Sequence, residues 1–477
     1  MNYEPVIGLE VHVQLSTNAK IFCGCSTNFG ASPNTQTCPV CLGLPGVLPV
    51  LNKEVIQCAI KTALATNCTV VERCIFHRKN YFYPDLPKGY QISQYDMPLG
   101  ENGWIQIKLD GKIKKIHITR VHMEEDAGKL IHSENSEDSR SRVDLNRAGV
   151  PLLEIVSEPD ISSPEEAYQY LVSLKEILEY LEISDCNMEE GSLRCDANIS
   201  LKPVGETKLG VKAELKNMNS FKGVQKALEY EITRQKKLLD KGEKVTQETL
   251  LWNADLNRTE SMRSKEDAHD YRYFPEPDLV PININKEWVS EVKRSFPELP
   301  QARRNRLKKE YRLSDYDVEV LTMDKKVADY FEECSNHFSN CKMIANWITW
   351  DISAVIKDRK IDINNLNVSP KQLGGLLSLI EDEIISGKIA KDVFLDMVCT
   401  GKDAKQIVSE KGLVQLSDEG ELVSIIDKII LQNPKPVNDF KKGKQNVLGF
   451  LVGQIMRETK GKANPQLVNR ILKAKLS

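Results

Sequence analysis

Alternating hydrophobic and polar residues near the N-terminus predict a β-strand with two different faces. Along Val6–Leu15, one face carries Leu9, Val11, Val13 and Leu15, and the other carries Glu10, His12 and Gln14. The side-chain period of two in a strand produces this separation. The polar face places a carboxylate beside an imidazole, as one wall of a metal site would. A Glu-x-His pair occurs often by chance, so this strand alone is weak support for such a site.

Two further apolar runs, Arg120–Gly128 and Val143–Asp160, carry carboxylates within strand-like sequence. Taking a carboxylate out of water is costly unless a partner compensates its charge. A divalent cation is one such partner, and Mg²⁺ is usually held by a few carboxylates together with substrate phosphates. The alternative is an edge strand that keeps its polar face in water. On these two runs alone, the two interpretations carry equal weight.

The same periodicity predicts further elements in the N-terminal part of the chain. We expect a hairpin through Asp110-Gly111, a helix over Lys53–Thr66, a helix capped by Ser163 with a Glu reaching back, strands over Arg194–Ser200 and Val211–Asn217, and a helix over Val224–Asp240. Several of these strands display Glu, Lys, Arg and Asn on one face. A site that binds a phosphate-rich ligand with metal ions requires this mixture.

After the boundary at Pro297–Pro300, the pattern is helical throughout, with a basic face at Gln301–Lys309 and a second boundary near Lys402–Leu416. From Lys441 to the end, nine Lys and Arg residues accompany a single acid, Glu458. A small basic helical module supports a nucleic-acid-binding hypothesis. The alternative is a solvated charged face without a ligand.

Composition changes this picture mainly by exclusion. A chain of 477 residues is long enough for about two to four domains, and 41% hydrophobic residues can fill their cores. A net charge of −3 gives no overall attraction to nucleic acid, so any such surface would be local. No apolar run reaches the roughly 20 residues of a membrane span, and the N-terminus lacks the pattern of a signal peptide. We therefore expect a cytoplasmic protein, or one in the equivalent compartment of an organelle, with no membrane association.

Four of the twelve cysteines form two close pairs around a turn-rich loop: Cys23, Cys25, Cys38 and Cys41. Paired thiolates of this kind build tetrahedral Zn²⁺ sites. The C-x-C half is tighter than the usual C-x₂-C, which lowers the specificity of the pattern slightly. The alternatives are a disulfide, which is disfavoured in the cytosol, and four unligated thiols. The spacing includes no histidine or carboxylate, so the predicted zinc site is structural and pins the loop after the first strand.

Basic and aromatic residues are interleaved along Arg78–Tyr95. Rings stack on bases while Lys and Arg meet phosphates, so this segment suits a single-stranded nucleic-acid end. A tyrosine-rich, half-buried loop is the alternative, and the segment alone favours it modestly. The sequence contains no P-loop, no kinase glycine-rich loop with its catalytic set and no G-x-S-x-G elbow. Any use of ATP would therefore depend on strand carboxylates, metal and unconventional backbone contacts.

Taken together, these residues closely resemble the B-subunit family of bacterial aspartyl/glutamyl-tRNA(Asn/Gln) amidotransferases. The resemblance rests on segments in the same order along the chain: Val6–His12, Arg78–Asp85, His122–Gly128, Leu152–Asp160, Glu189–Ser200, Glu214–Asn217, Tyr271–Asp278 and Lys460–Pro465. It covers essentially the whole chain, most densely residues 5–280 and least around 400–440. The four cysteines resemble the zinc-binding version of this family.

The resemblance implies an α+β fold: a cradle-like mixed domain with an antiparallel sheet, then an all-α helical domain and a small helical C-terminal tail domain. The implied ranges are 1–292 for the cradle domain with its zinc loop 23–41, 293–408 for the helical domain and 409–477 for the basic tail. A related archaeal subunit specific for Glu-tRNA(Gln) carries an extra inserted domain. The short step here from Asp278 to Pro300 leaves no room for it.

The resemblance also implies an ATP-dependent ligase that forms a carbon–nitrogen bond with glutamine as amide donor. The side-chain carboxylate of Glu on tRNA(Gln), of Asp on tRNA(Asn), or of both, attacks the γ-phosphate of ATP. Ammonia from a partner amidase, the enzyme's A subunit, then displaces phosphate, and the small C subunit completes the complex. The implied cofactors are ATP, Mg²⁺ and structural Zn²⁺. The alternative function is a non-catalytic, zinc-stabilised tRNA-binding scaffold.

Site residues are assigned by the same resemblance. The catalytic and Mg²⁺-binding residues are Glu10, His12, Glu125 and Glu154, with Glu124 as the alternative register. The residues expected to position ATP or the aminoacyl end are Glu190, Arg194, Glu214 and Lys216. Those expected near the terminal adenosine of the tRNA are Tyr81, Tyr83 and Lys88.

Overall fold

The computed structural model describes residues 2–132, 140–262, 271–413, 419–441, 447–459, 463 and 465–476. The chain divides into two compact units, Met1–Pro300 and Gln301–Ser477. The predicted α+β class is confirmed, because the first unit is built on a mixed sheet and the second is largely helical where it is described. Of the predicted tail domain, residues 414–418, 442–446, 460–462, 464 and 477 lie outside the described ranges.

Long strands form the centre of the first unit. The strands are β1 (Tyr3–Gln14), β2 (Thr69–Val70), β3 (Arg73–Cys74), β4 (His77–Asn80), β5 (Tyr90–Ser93), β6 (Gly100–Leu109), β7 (Lys112–Glu125), β8 (Lys129–His132), β9 (Ser141–Asp144), β10 (Pro151–Ser157), β11 (Leu193–Pro203), β12 (Ala213–Met218), β13 (Thr249–Asn253), β14 (Arg258–Ser261), β15 (Arg272–Pro275) and β16 (Ile282–Asn283). The main sheet has the order β14-β13-β12-β11-β1-β10-β7-β6-β2. Its neighbours are antiparallel except β12 and β13. Smaller sheets are β15-β4-β5, β16-β3 and β8-β9.

The predicted two faces of the first strand are confirmed, and they divide the main sheet into an apolar and a polar side. β1 is hydrogen-bonded on both edges, to β10 and to β11. Leu9, Val11 and Val13 are at most 1% exposed and belong to the main hydrophobic core. Glu10 and His12 lie on the opposite face, which is therefore free to carry a polar site.

Helices cover the apolar side of this sheet. The helices of the first unit are α1 (Lys53–Ala65), α2 (Pro164–Tyr180), α3 (Phe221–Asp240) and α4 (Lys286–Arg294). Ser163 caps α2 as predicted, since its hydroxyl accepts a hydrogen bond from Glu166 N at 3.1 Å. The Glu166 carboxylate reaches back one residue further than a capping box requires and accepts from Ser162 N at 2.8 Å. The predicted hairpin through Asp110-Gly111 is also confirmed, as the turn between β6 and β7.

The second unit is built from short helices around two separate cores. They are α5 (Pro300–Tyr311), α6 (Asp315–Thr322), α7 (Lys325–Ser335), α8 (Cys341–Trp347), a π-helix (Ile348–Ile352), α9 (Ser353–Arg359), a 3₁₀ turn (Ile363–Asn365), α10 (Pro370–Glu381), α11 (Gly387–Thr400), α12 (Ala404–Lys411), α13 (Glu419–Gln432), α14 (Pro434–Lys441), α15 (Val447–Glu458) and α16 (Pro465–Leu476). One core contains Phe331, Leu376 and Phe394, and the other contains Leu422 and Leu472. Two cores are a physical basis for two helical modules, while the ranges 293–408 and 409–477 stay predictions.

Across the parts of the chain that the structure describes, none of the helices combines the length and apolarity needed to cross a lipid bilayer.

Candidate active site

Antiparallel pairing of three central strands gathers side chains from distant parts of the sequence onto one face of the main sheet. His12 of β1 pairs with Glu154 of β10, and Glu154 pairs with His122 of β7. Paired residues point to the same face, and so do residues two positions apart along a strand. Glu10 therefore joins from β1, and Glu124 joins from β7. We name Glu10, His12, His122, Glu124 and Glu154 the carboxylate–imidazole group.

The side chains of this group contact one another directly. His12 Nε2 lies 3.6 Å from both Glu10 Oε1 and Glu124 Oε1, and 3.4 Å from Glu154 Oε2. His122 Nε2 lies 3.3 Å from Glu154 Oε2 and 3.9 Å from Glu124 Oε2. Glu124, Glu154 and His122 are at most 5% exposed, whereas Glu10 and His12 are half-buried. The group is therefore a buried acidic centre that is reached from the side of β1.

Burial and neighbouring charges oppose each other at these residues. Burial acts to raise the pKa of Glu154, but His122 and His12 outweigh it and hold that pKa well below its usual range. Burial acts to lower the pKa of His12, yet its hydrogen bond with Glu154 and the charge of Glu124 raise the pKa to about 9. Burial and the charge of Glu154 raise the pKa of Glu10. The His12 imidazole thus supplies part of the positive charge that the buried carboxylates require.

The donor atoms of the group fit a divalent cation. Two sets, Glu10–His12–Glu154 and His122–Glu124–Glu154, each bring three potential ligand atoms within 4.8 Å of one another. Carboxylate oxygens are the ligands that Mg²⁺ prefers, and imidazole nitrogens suit several transition-metal ions. Within the described residues, His122 Nδ1 is buried without a hydrogen-bond partner. That ring is therefore oriented through the contacts of its Nε2 atom with two carboxylates.

Glu125, the first choice for this group from the sequence, is not brought into it. Neighbouring residues of a strand point to opposite faces, so Glu124 and Glu125 cannot both face the imidazoles. The Glu125 carboxylate accepts hydrogen bonds from Lys88 Nζ and, at 2.8 Å, from Ile92 N. The expected geometry is corrected accordingly: Glu124, the alternative register, faces the imidazoles, while the metal-binding role of either glutamate stays a prediction.

Cationic side chains border the group on the same polar face. Arg194 of β11 donates to Asp126 at 2.9 Å. Lys216 of β12 lies 2.7 Å from Asp196 and 3.0 Å from Glu214. The expected positioning residues Arg194, Glu214 and Lys216 therefore lie on neighbouring strands beside the carboxylate–imidazole group. Each of the two cations is paired with an acid that a negatively charged ligand would have to displace or share.

Tyrosines line the small sheet β15-β4-β5 and its connections. Tyr95 stacks on Tyr273 with ring centroids 4.2 Å apart, and Tyr81 meets Tyr271 edge-on at 5.6 Å. We name these four tyrosines the aromatic wall. The predicted residue Tyr81 is thus part of a larger aromatic surface, to which the segment after β14 contributes two rings.

Lys79 of β4 links the aromatic wall to the carboxylate–imidazole group. Its Nζ atom lies 4.6 Å from the centre of the Tyr271 ring. Burial acts to lower the pKa of Lys79, but the charges of Glu124, Tyr273 and Glu154 raise it. The Lys79 ammonium therefore contacts the aromatic wall and interacts electrostatically with two carboxylates of the group.

Three expected residues have other surroundings. Lys88 is paired with Glu125, and its side chain is only 11% exposed. Its expected place near the terminal adenosine of the tRNA stays a prediction. Tyr83 is 53% exposed after β4, and Glu190 is exposed in the turn before β11. For these two residues, the assigned roles stay predictions.

The four predicted cysteines converge, although their C-x-C half is tight. Their sulfur atoms all lie within 4.8 Å of one another, and Cys38 Sγ is 3.9 Å from Cys41 Sγ. Sulfurs in a tetrahedral site with Zn–S bonds of about 2.3 Å are roughly 3.8 Å apart, so the arrangement fits Zn²⁺. A hydrogen bond with Cys23 and the nearby Lys20 ammonium help to lower the pKa of Cys41 to about 4, against its burial. We name residues 23–41 the four-cysteine loop.

Sequence reasoning missed His122, Lys79 and Arg120 as members or neighbours of the site. His122 stands two residues before Glu124, so the strand period already placed both on one face. Arg120 continues this alternation, and its Nη2 atom lies 3.6 Å from Glu154 Oε1. The missing information is the order of the strands, because β1, β10 and β7 become neighbours only in the folded sheet.

Comparisons with known proteins give the class. The family described as GatB/GatE catalytic domain matches residues 5–290, and the family described as GatB domain matches residues 329–476. The carboxylate–imidazole group and the four-cysteine loop both lie within the first match. The chain is therefore a subunit of a tRNA amidotransferase, which is a ligase.

Full-length relatives give the particular family. The B subunits of the aspartyl/glutamyl-tRNA(Asn/Gln) amidotransferases are 59% identical to this chain in Caldanaerobacter subterraneus subsp. tengcongensis, 58% in Thermoanaerobacter sp. and 57% in Geobacter sulfurreducens, each over 100% of both chains. The chain belongs to the B-subunit family of aspartyl/glutamyl-tRNA(Asn/Gln) amidotransferases. The resemblance inferred from the sequence motifs is thereby confirmed.

Proposed function

We propose that this chain is the amidating subunit of a glutamine-dependent amidotransferase that forms Gln-tRNA(Gln), Asn-tRNA(Asn) or both. The side-chain carboxylate of the mischarged amino acid attacks the γ-phosphate of ATP, which gives an acyl phosphate and ADP. Ammonia then attacks the acyl carbon, and inorganic phosphate leaves. The observation that carries this proposal is the buried carboxylate–imidazole group in a chain of this family.

The two substrates repel each other, because a carboxylate must approach a triphosphate. A divalent ion, Mg²⁺ in our proposal, held by Glu10, Glu124 and Glu154 would screen both anions and neutralise charge on the phosphoryl oxygens. His12 and His122 orient these carboxylates through the contacts described above. Since Glu124 and Glu154 are at most 5% exposed, little water screens the centre, and its electrostatic interactions are correspondingly strong.

We propose that ATP binds in a cleft that adjoins Glu10. On the polar face of β1, Gly8 stands between Val6 and Glu10, and its missing side chain contributes to a hollow of about 270 Å³. Asn198 and Ser200 of β11 pair with Gly8 and Val6 and line the same hollow. The cleft and the carboxylate–imidazole group thus share Glu10, so a nucleotide in the cleft can direct its phosphates to the group.

The lining of this cleft suits the parts of a nucleotide. Leu209 and Val156 supply apolar surface for a base, and Ser157, whose hydroxyl accepts from Leu9 N at 2.9 Å, lines the cleft at the end of β10. Lys212 is exposed at the cleft and is available to an anionic phosphate. This combination replaces the P-loop that the sequence lacks.

We propose that the aromatic wall receives the 3′ end of the tRNA. Tyrosine rings stack on bases without strict sequence preference, and Lys79 supplies positive charge beside them. Lys79 also interacts electrostatically with Glu124 and Glu154, so the wall can deliver the aminoacyl group toward the carboxylate–imidazole group. In this arrangement the tRNA end and the nucleotide approach from different sides.

The remaining requirements are met by partners and by a second metal. A sequence without an evident activated nucleophile is expected to obtain ammonia from a partner amidase, the A subunit, with the small C subunit completing the complex. We propose that the four-cysteine loop binds structural Zn²⁺ and that the complex works in the cytoplasm, or the equivalent organelle compartment.

The test is to reconstitute the chain with the amidase and the small partner protein and to supply ATP with Glu-tRNA(Gln) or Asp-tRNA(Asn). Without glutamine, we expect ADP to form only when a mischarged tRNA is present. With glutamine, the tRNA that becomes amidated identifies the substrate. If no ADP forms with either tRNA, the chain is a zinc-stabilised scaffold, and the proposed catalysis is wrong.

A further inference from the structure

Glu125 lies outside the carboxylate–imidazole group, yet it is held more firmly than a surface acid. It is 3% exposed, and its carboxylate accepts from Lys88 Nζ and from Ile92 N. Its backbone carbonyl accepts from Gln91 Nε2 at 2.6 Å. These bonds fix the end of β7, where the preceding residue, Glu124, points to the opposite face. The orientation of the Glu124 side chain therefore depends on the hydrogen bonds that Lys88, Gln91 and Ile92 make to Glu125.

Lys88, which holds Glu125, is itself packed against the chain that leaves the four-cysteine loop. Gly43 follows Cys41 by two residues and has a φ of +64°. A methyl group at Gly43 would overlap Lys88 Cγ and would come within 3.2 Å of Lys88 Cα. Gly43 N also donates to Val40 O at 3.0 Å, which continues the turn that contains Cys41. The backbone after the cysteines thus sets the position of the Lys88 stem.

A second set of contacts connects the cysteines with the surroundings of Glu125. A methyl group at Gly149, just before β10, would lie 3.6 Å from Cys41 Cβ and 4.0 Å from Glu125 Oε2. The buried Lys20 Nζ donates to Gln36 O at 2.8 Å and lies 3.7 Å from Cys41 Sγ. Cys41 therefore lies beside Gly149, which also borders the Glu125 carboxylate. Cys41 also belongs to the turn that leads to Gly43.

From these contacts we infer that the four-cysteine loop positions the amidation site, acting through Gly43, Lys88 and Glu125 on Glu124. The inference rests on the proposed function of the carboxylate–imidazole group as a divalent-cation site. A loop that only adds stability would leave the cation affinity of that group unchanged. Contacts that orient metal ligands from outside typically change metal affinity 10–100-fold, so we expect about tenfold from disturbing Lys88.

A matched pair of glycine substitutions in the full-length chain tests this inference. Gly43→Ala forces Lys88 to move. Gly46→Ala likewise places a side chain at a positive φ, +85°, but nothing lies within 4 Å of the added methyl group. Zinc content is measured by elemental analysis, and Mn²⁺ binding is titrated by electron paramagnetic resonance. We expect Gly43→Ala to keep its zinc and to bind Mn²⁺ about tenfold more weakly. We expect Gly46→Ala to match the wild type in both.

Two more variants keep the result interpretable. Lys88→Met removes the ammonium and retains an unbranched side chain, so it carries the test if Gly43→Ala does not fold; we expect the same weaker Mn²⁺ binding. Glu154→Gln identifies the Mn²⁺ signal that belongs to the carboxylate–imidazole group. If both Gly43→Ala and Lys88→Met bind Mn²⁺ with wild-type affinity, the inference is wrong, while the proposed cation site is unaffected. If the wild type shows no Mn²⁺ binding that depends on Glu154, the proposed cation site is wrong, and the inference falls with it.

Discussion

The four-cysteine loop and the carboxylate–imidazole group are both suited to metal ions, but they are assembled in opposite ways. The loop takes its four soft sulfur ligands from one short segment, residues 23–41. The group takes hard oxygen and imidazole donors from three strands, between residues 10 and 154. A closed set of four thiolates leaves no position for a substrate, whereas carboxylates beside an open cleft leave room for phosphates.

This difference shows how the two sites differ in what stabilises them. The energy of binding a metal to a local loop is available to hold that loop together. A group assembled from distant strands is instead held by the sheet, and its repelling carboxylates are tolerated because His12 and His122 lie between them. The contacts through Lys88 and Glu125 are where the two sites meet. Substitutions that affect one site and not the other therefore test the comparison.

The largest effect is expected for Glu154→Gln, because Glu154 contacts both imidazoles of the group. We expect amidation and mischarged-tRNA-dependent ADP formation to fall by on the order of 10²-fold or more, which is typical when one electrostatic group of an active site is removed. Zinc content should not change. Glu165→Gln, at an exposed position of α2, is the control and should behave as wild type. Equal activity in the two variants would contradict the proposed centre.

The choice of register is tested by comparing Glu124→Gln with Glu125→Gln. We expect Glu124→Gln to reduce activity by on the order of 10²-fold, since it removes a carboxylate that faces His12. Glu125→Gln retains an acceptor for Ile92 N and should cost roughly tenfold, as an outer contact would. Steady-state rates of ADP formation measure both. A larger loss for Glu125→Gln would show that the corrected assignment is wrong.

The nucleotide cleft is tested at Gly8, where a side chain would fill the hollow. A methyl group there meets only Pro159 Cα and Ser157 O, both at the ordinary contact distance of 3.8 Å, so Gly8→Ala should fold normally. Gly8→Val adds bulk in the proposed path of ATP, and we expect it to raise the KM for ATP by roughly tenfold, about 1.4 kcal/mol. The KM for mischarged tRNA should change little. A parallel rise in both constants would argue against a separate nucleotide cleft.

For Cys38→Ser we expect a direct effect on stability and the smallest effect on chemistry, about tenfold at most, because the loop reaches the site only indirectly through Lys88 and Glu125. Loss of one of four thiolates should reduce bound zinc and lower the midpoint of thermal unfolding by on the order of 5 °C, since about 1 kcal/mol shifts a domain of this size by roughly 2–4 °C. Cys399→Ser, at an exposed cysteine of α11, is the matched control. Unchanged zinc content in Cys38→Ser would contradict the assignment of the loop.

Much of the fold and part of the site follow from local pattern. The two faces of β1, the hairpin through Asp110-Gly111 and the cap at Ser163 depend on residues close together in sequence, and the structure has all three. The spacing of the four cysteines likewise predicts their convergence. The capping glutamate, Glu166, departs by one residue from the predicted capping pattern, because its carboxylate accepts from Ser162 N and pairs with the Lys114 ammonium. Lys114 is a partner that no local pattern reveals.

The sequence by itself determined which residues are polar, which face of each strand they occupy, and that the motifs belong to this family. Only the tertiary structure decided that β10 lies between β1 and β7, that His122 joins the group and that Glu124 rather than Glu125 faces it. Side-chain alternation is a local property of the backbone. The order and register of strands depend on contacts across more than a hundred residues, and a shift of one residue exchanges the two faces of a strand.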